Sequence, residues 1–427
     1  MPQEETKTSV ITIGLDRGDT NFDYSMEELN NLVLANNMDS IETITQKLDR
    51  PDPATYFGKG KIELLGQTVQ DLGVDTVIAN DELSPSQIRN IEKNINARII
   101  DRTGLILEIF ANRAQSKEAK LQVELAKLKY QLPRLHTSAS QRLDQQTGTS
   151  AGGGFTNRGS GESQLELNRR TLQNKIDHVK GELKEAQKAN DTKRKQRDKN
   201  DIPTVALVGY TNAGKSTVMN GMIQKFGMHE EKQVMVKDML FATLDTSVRQ
   251  LTLPDQKKFL LSDTVGFVSQ LPHNLVEAFK STLAEAANAD LLIQVVDYSD
   301  PDYKLMMQTT EETLKEIGVT NIPMIIAFNK ADKLDNQPYP TREGNDLIMS
   351  ALNSESLDDL TAMIKDEIFD NYQVVKLLIP FDKGNIVAYL NDNTHVISTD
   401  YTDAGTLIEA EVTNVDADRF IDYQVSE

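Results

Sequence analysis

Apolar positions switch between two periods along the first hundred residues. VITIGL, Val10 to Leu15, has the length and composition of a strand. Met26 to Leu34 repeats with the 3.6-residue period of an amphipathic helix, and TVIA, Thr76 to Ala79, is another strand-length run. SPSQIRNIEKNI then opens with Ser84 as a cap before Pro85, a pairing that favours a helix start. The alternation predicts a small α/β subdomain over residues 1–112.

A longer helical pattern follows. From Ala114 to Leu132 one face carries Leu121, Leu125, Leu128 and Leu132, and Pro133 ends it. A second pattern runs from Glu162 to about Lys199, with Leu165, Leu172, Ile176, Val179 and Leu183 spaced as a partner stripe. Residues 113–200 are therefore expected to form an antiparallel helical hairpin. Its connection, Ser138 to Gly161, holds SAGGGFTNRGSGE, too rich in glycine for a helix. That segment reads either as a flexible linker or as an adaptable basic probe bearing Arg142 and Arg158.

Strand-like runs PTVALVG, SVRQLTL, KKFLLSD and PMIIAF organise residues 201–371 as a further α/β domain. Beyond it VVKLLIP, NIVAYL, THVIST and TLIEAEV are separated by short turns, so residues 372–427 are expected to form a small α+β or β-rich module.

The third segment carries the chemistry. PTVALVG runs into Gly209-Tyr210-Thr211-Asn212-Ala213-Gly214-Lys215-Ser216-Thr217, the G-x-x-x-x-G-K-[ST] pattern between a strand and a helix. Its glycines let backbone N–H groups encircle phosphates. Lys215 suits the β- and γ-phosphates, and the Ser216 hydroxyl is a hard oxygen ligand for Mg²⁺. Four further elements follow in order. Phe241-Ala242-Thr243-Leu244-Asp245 is the candidate first switch, with Thr243 completing the Mg²⁺ shell when a γ-phosphate is present. Asp263-Thr264-Val265-Gly266 is the second, with Asp263 holding a Mg²⁺-bound water and the Gly266 N–H sensing the γ-phosphate. Asn329-Lys330-Ala331-Asp332 selects the base, because a carboxylate can accept hydrogen bonds from guanine N1–H and N2 that adenine cannot offer. Ser350-Ala351-Leu352 can present a backbone N–H to guanine O6.

Together these predict an Mg²⁺-dependent GTPase, with Lys215, Thr243, Gly266 and Phe267 at the reacting end. Phe267 stands where Ras-like enzymes carry a water-orienting glutamine, and an aromatic ring cannot do that work. Slow intrinsic hydrolysis, stimulated by a partner, is the expectation. Asn212 resembles the potassium-coordinating asparagine of some related GTPases, which makes K⁺ a candidate second ion.

Composition sharpens the partner question. A chain of 427 residues favours two or three domains. It contains no cysteine, so it has neither disulfides nor thiolate metal sites. No apolar run is long enough to span a membrane, and Met1 to Thr20 lacks the pattern of an export signal. A monomer in the cytoplasm is expected, with at most a peripheral attachment to a membrane. His136, His178, His229, His273 and His395 are scattered singly and read as structural. The net charge of −19 argues against nucleic acid until its distribution is seen. Between Asn112 and Lys199 there are 19 lysines and arginines against 10 acidic residues. An acidic body thus carries one basic arm, either a solvated helix face or a contact for nucleic acid. Tyr56-Phe57-Gly58-Lys59-Gly60-Lys61 reads as a plain turn or as a phosphate-contacting one, the latter allowing a second nucleotide in the amino-terminal region.

GYTNAGKST, FATLD and DTVGF, with YFGKGK, NDELSPSQ, the Asp101-Arg102-Thr103 triplet and ELAKLKYQLPRL, resemble the HflX family, ribosome-associated GTPases of the Obg-related group. The resemblance spans nearly the whole chain. One departure lies in GGGFTNRGSGESQLEL, where Ser160 replaces the usual proline and Asn157 a usual threonine. The resemblance implies binding to the large ribosomal subunit and its rRNA through the hairpin, and GTP-controlled splitting of stalled or hibernating ribosomes under stress. Lys193, Arg194, Lys195, Arg197 and Lys199 then either contact RNA phosphates or keep a linker solvated. The competing expectation is a GTPase-gated assembly or RNA-binding scaffold that does not split ribosomes.

Overall fold

Apolar residues in strand and helix periods need surfaces to cover, and the computed structural model provides three sheets for them. It describes residues 7–135, 157–198, 202–227, 240–241, 247–269, 286–369 and 372–425, with side chains in the long helix described over 166–188. Arg142, the glycine-rich segment up to residue 156, the side chains of Arg158, Leu165 and Lys193 to Lys199, and His136, His229 and His273 lie outside that set. The chain forms two compact units.

The first unit is built on a parallel sheet of order β2-β1-β3-β4, with β1 Thr8–Asp16, β2 Met38–Lys47, β3 Thr76–Ala79 and β4 Arg98–Asp101. Parallel neighbours require crossovers, and helices supply them. These are α1 Phe22–Ala35, α2 Lys59–Leu72 and α3 Pro85–Ile95. Ile11, Ile13, Val77, Ala79 and Ile99 share a core with Ile62, Leu65 and Val69 of α2 and Ile91 and Ile95 of α3. The helix start read at Ser84 is a full capping box: its side chain accepts from Gln87 N–H and the Gln87 side chain accepts from Ser84 N–H. YFGKGK forms a turn in which Tyr56 and Phe57 are buried and Lys59 is exposed, leading into α2.

Next come α4 Arg102–Arg113, α5 Lys117–Gln131 and the 42-residue α6 Asn157–Asp198. The stripes read in the sequence meet here: Leu121, Leu125 and Leu128 pack on Ile176, Val179 and Leu183, flanked by Leu132 and Leu172. Helix α6 begins at Asn157, inside the stretch expected to be too glycine-rich. Once a long helix is nucleated each added residue gains a hydrogen bond, which offsets the cost of Gly159 and Gly161. The first unit also takes in two later pieces of chain, described at Leu240, Phe241 and Gly266 to Ser269.

The second unit holds a seven-stranded sheet of order β10-β11-β9-β8-β5-β7-β6. Its strands are β5 Thr204–Val208, β6 Ser247–Thr252, β7 Lys258–Asp263, β8 Leu291–Asp297, β9 Met324–Asn329, β10 Thr341–Glu343 and β11 Asp346–Ile348. The five inner strands are parallel and the two edges antiparallel. Helices α7 Lys215–Phe226, α8 Tyr303–Glu316 and α9 Ser354–Ile368 accompany it. Val205 and Leu207 of β5 join Val218, Met219 and Met222 of α7 and Leu360 and Ile364 of α9 in one core. β5 lies between β7 and β8, with the strands before β8 in sequence on one side and those after it on the other, so the carboxyl end of β5 is the switch point where open α/β sheets bind ligands.

The last segment is an antiparallel sheet of order β12-β14-β13, formed by Tyr372–Ile379, His395–Thr402 and Gly405–Thr413. NIVAYL, expected as a strand, lies instead in helix α10 Gly384–Asn393. A five-residue apolar run, Ile386 to Leu390, satisfies either period. Ile386, Val387 and Leu390 also fit helical spacing, and with α11 Asn414–Arg419 they cover the sheet. Among the described residues no helix is long and apolar enough to cross a membrane.

Lys257 docks this sheet in the second unit. Its ammonium is 2.7 Å from Glu411 and lies 5.5 and 4.9 Å from the ring centres of Phe369 and Tyr372. Neighbouring Asp255 pairs with Lys365 at 2.5 Å. Burial pushes the Asp255 carboxyl up, but the hydrogen bond and charge of Lys365, with the charge of Lys257, hold it below the usual carboxylate range. Removing the Lys257 amine leaves Glu411 partly desolvated without its partner. Lys257→Ala should lower stability by about 2 kcal/mol, less than for a fully dry pair because Glu411 keeps some access to water. Urea unfolding followed by circular dichroism measures this, and Glu411→Gln in the same chain should recover part of the loss.

Candidate functional site

The loop after β5 has a backbone that side chains would obstruct. Gly209 has φ +139°, and a Cβ there would lie 2.3 Å from the Val295 carbonyl oxygen. Gly214 has φ +98° and abuts the Asn329 amide at the same distance. Helix α7 begins at Lys215 with Gly214 as its cap and no side-chain capping bond, which leaves its first N–H groups for a ligand.

Three side chains converge on this helix start. Lys215 is buried and its ammonium donates to the Gly209 and Tyr210 carbonyls at 3.0 and 2.8 Å. Burial lowers its pKa to about 8, with the Asp263 charge pulling the other way. The Ser216 hydroxyl donates to Asp263 at 2.7 Å. Thr211 places a buried hydroxyl in the loop with no hydrogen-bond partner among the described residues. Thr264 is tied to β5 by a 2.7 Å bond to the Leu207 carbonyl. Two hard oxygens side by side, a lysine and a helix start suit a divalent cation with a polyphosphate, so the residues present fit Mg²⁺ and a nucleotide.

Asn329 holds the base end together. Its amide donates to the Ala213 carbonyl at 2.9 Å, and its oxygen accepts from Ala351 N–H at 2.8 Å. One side chain thereby joins the phosphate loop to Ser350-Ala351-Leu352. Lys330 sits at φ +65° with its ammonium 2.6 Å from Asp297, and Ala331 N–H donates to Met349 O. Ser350 is buried, with its N–H donated to the Ser356 hydroxyl. Asp332 is exposed and Leu352 is 80 % exposed, so both face solvent beside this frame.

The structure therefore brings together Gly209 to Thr217, Asp263, Thr264 and Asn329 to Asp332 with Ser350 to Leu352. Val265, two residues beyond β7 in the same unit, is buried. Ala242, Thr243, Leu244 and Asp245 lie outside the described residues. Phe241 is buried in the first unit, edge-on to Phe110 with ring centres 4.6 Å apart. Gly266 and the buried Phe267 also belong to that unit. Sequence reasoning missed Asp297 and Ser356. Each supports a motif residue from another element, and neither belongs to a recognisable pattern.

The chain is similar to known GTPases over most of its length. Three family models match consecutive stretches: "GTP-binding GTPase N-terminal" over residues 23–111, "GTP-binding GTPase Middle Region" over 113–197 and "50S ribosome-binding GTPase" over 204–330. The GTPase HflX of Caldanaerobacter subterraneus subsp. tengcongensis is 42% identical over 402 residues, covering 94% of this chain and 90% of that one. The GTPase HflX of Escherichia coli is 37% identical over 366 residues, with 84% and 83% covered. A GTP-binding protein from the archaeon Sulfolobus solfataricus, solved in complex with GDP, is 26% identical with a TM-score of 0.43, covering 85% of this chain and 99% of that one.

The buried lysine generates a pH prediction. In the ligand-free chain Lys215 loses its proton as pH passes about 8, whereas a bound phosphate favours the charged form. Nucleotide affinity should fall above pH 8 by up to about tenfold per unit, with proton uptake on binding. Because this pKa lies below the unfolded value, the free protein should gain stability over the same rise. Calorimetric GDP titrations at pH 7, 8 and 9 in buffers of different ionisation enthalpy read both the affinity and the proton count.

Proposed function

The chain belongs to the HflX family of GTPases, and on that premise we propose that it couples Mg²⁺-dependent GTP hydrolysis to binding of the large ribosomal subunit and splitting of stalled or hibernating ribosomes. Hydrolysis of GTP is the activity of the family. The observation that most supports the site assignment is the Ser216–Asp263 contact of 2.7 Å beside the buried Lys215.

GTP enters with its phosphates over the start of α7, where backbone N–H groups and Lys215 take up their charge. Ser216, with Thr243 from the first switch, would hold Mg²⁺ and Asp263 a water bound to it, and the ion would supply charge neutralisation at the β- and γ-phosphate oxygens. Asp332 accepts from guanine N1–H and N2, and the Ala351 region presents an N–H to O6. Asn329 keeps these loops at a fixed spacing, so base recognition and phosphate placement come as one rigid set. Gly266 N–H senses the γ-phosphate. Phe267 offers no hydrogen bond to the attacking water, so intrinsic turnover is slow and the ribosomal partner accelerates it. Asn212, exposed at φ +63°, is positioned in the loop as a candidate K⁺ ligand.

The basic helical arm supports the choice of partner. In an otherwise acidic chain it concentrates the positive charge that rRNA phosphates attract. The domain description "50S ribosome-binding GTPase" supports the same reading.

GTP turnover with and without purified large subunits tests the proposal. The unchanged chain should be stimulated, and Lys215→Ala should lose turnover in both conditions. Asp332→Asn should weaken GTP binding by about 2–3 kcal/mol through loss of charge-assisted bonds to guanine. On sucrose gradients with a non-hydrolysable GTP analogue, loss of 70S particles supports splitting, whereas co-sedimentation without dissociation favours a scaffold role. Equal rates in K⁺ and Na⁺ buffers would remove the K⁺ assignment.

A further inference from the structure

Within Asn329-Lys330-Ala331-Asp332 only Lys330 has a positive φ. Its value of +65° is left-handed, a conformation that costs free energy for any residue with a Cβ and persists where the surroundings over-determine it. The turn that presents Asp332 pivots on this residue. Asn329 ends β9, Ala331 N–H donates to the Met349 carbonyl at 3.1 Å, and Lys333 N–H closes back on the Lys330 carbonyl at 3.0 Å. Rotating Lys330 into the ordinary right-handed or extended region would swing the following peptides, and Asp332 with them.

A carboxylate at the end of β8 holds Lys330 from the side. Asp297 stands in register with Asn329 across the parallel strand pair, and one of its oxygens takes the Lys330 ammonium at 2.6 Å. The other oxygen accepts from Ser299 N–H at 3.1 Å and from the Ser299 hydroxyl at 2.6 Å. With both oxygens engaged, the carboxylate is kept in one orientation. The two side chains of the pair are 17 % and 16 % exposed, dry enough to escape much of the screening that weakens surface ion pairs.

The loop that carries this carboxylate is itself anchored. Tyr298 N–H donates to the Asn329 carbonyl at 2.8 Å. The Tyr298 ring lies 5.1 Å from Phe328, the residue before Asn329, and 5.3 Å from Tyr303 at the start of α8. An acidic side chain on a braced loop thus meets the one left-handed residue of the motif. All of these groups belong to the second unit.

We propose that Asp297 is a positioning residue for guanine: by holding the Lys330 ammonium it keeps the left-handed turn in place and so sets where Asp332 presents its carboxylate. This role deepens the proposed function and rests on Asp332 being the guanine acceptor. The phosphate-binding groups at the start of α7 do not include the pair, so its loss falls on base discrimination. An ion pair that served stability alone would leave the choice of base unchanged. One that only parked the Lys330 ammonium until nucleotide arrived would give tighter binding once Asp297 was neutralised.

Equilibrium titrations of the full chain with GDP and IDP separate these cases. IDP lacks the 2-amino group and forfeits one of the bonds that Asp332 accepts, so the ratio of GDP to IDP affinity reads how well that carboxylate is placed. Asp297→Asn, close in shape, should weaken GDP about tenfold and IDP about twofold, lowering the ratio about fivefold. Lys330→Met, which keeps the stem and removes the ammonium, should do the same, and the double variant should add little to either single change. Circular dichroism under the titration conditions establishes that each variant is folded. A GDP affinity within about twofold of the unchanged chain, a gain in affinity, or an equal loss for GDP and IDP overturns the assignment. ADP separates it from the reading beneath it. If the unchanged chain binds ADP as tightly as GDP, the guanine site is wrong and the role of Asp297 falls with it. If the unchanged chain prefers GDP and Asp297→Asn keeps the GDP to IDP ratio, only the positioning role fails.

Discussion

The side-chain amide of Asn329 is the contact on which the arrangement of the candidate site depends. It donates to the phosphate loop and accepts from the base loop at ordinary hydrogen-bond lengths, so three segments far apart in sequence share one small, stiff link. Gly214 must lack a side chain because this amide occupies the space. A nucleotide is recognised at both ends at once, and the spacing between those ends is what a rigid frame supplies.

The price of such a site is polar groups left without full satisfaction, and the surroundings manage it differently at each end. At the phosphate end Lys215 turns onto two backbone carbonyls and Ser216 onto Asp263, which satisfies them internally until a stronger partner arrives. At the base end Asp332 stays in water, where a carboxylate is comfortable without a partner. Burial of the lysine and exposure of the aspartate both follow from that division.

Charge is arranged by segment. The arm collects basic residues in a chain of net charge −19, and its two helices meet through an apolar stripe of Leu, Ile and Val. The carboxyl end of α5 is held by polar contacts to Asp101 as well, because a buried carboxylate can fix orientation where an apolar contact cannot.

The sequence by itself determined the elements and motifs whose chemistry is local. The phosphate loop, the capping box at Ser84, the paired leucine stripes and the termination of α5 before Pro133 all depend on residues within one or two turns of each other, and spacing reveals such dependence. Family resemblance rested on the same short motifs. NIVAYL, expected as a strand, is a helix because its five apolar residues carry no period of their own and a sheet needing cover decided between the two. Asp297, Ser356 and Glu28 left no signal, since each acts through a partner dozens or hundreds of residues away. The partners of Arg102 are equally distant, Glu28 lying 74 residues away and Ser269 167, although Arg102 stands in a recognisable triplet. Tertiary structure alone decided these pairings, because a buried polar group is defined by what closes around it and not by its neighbours in the chain.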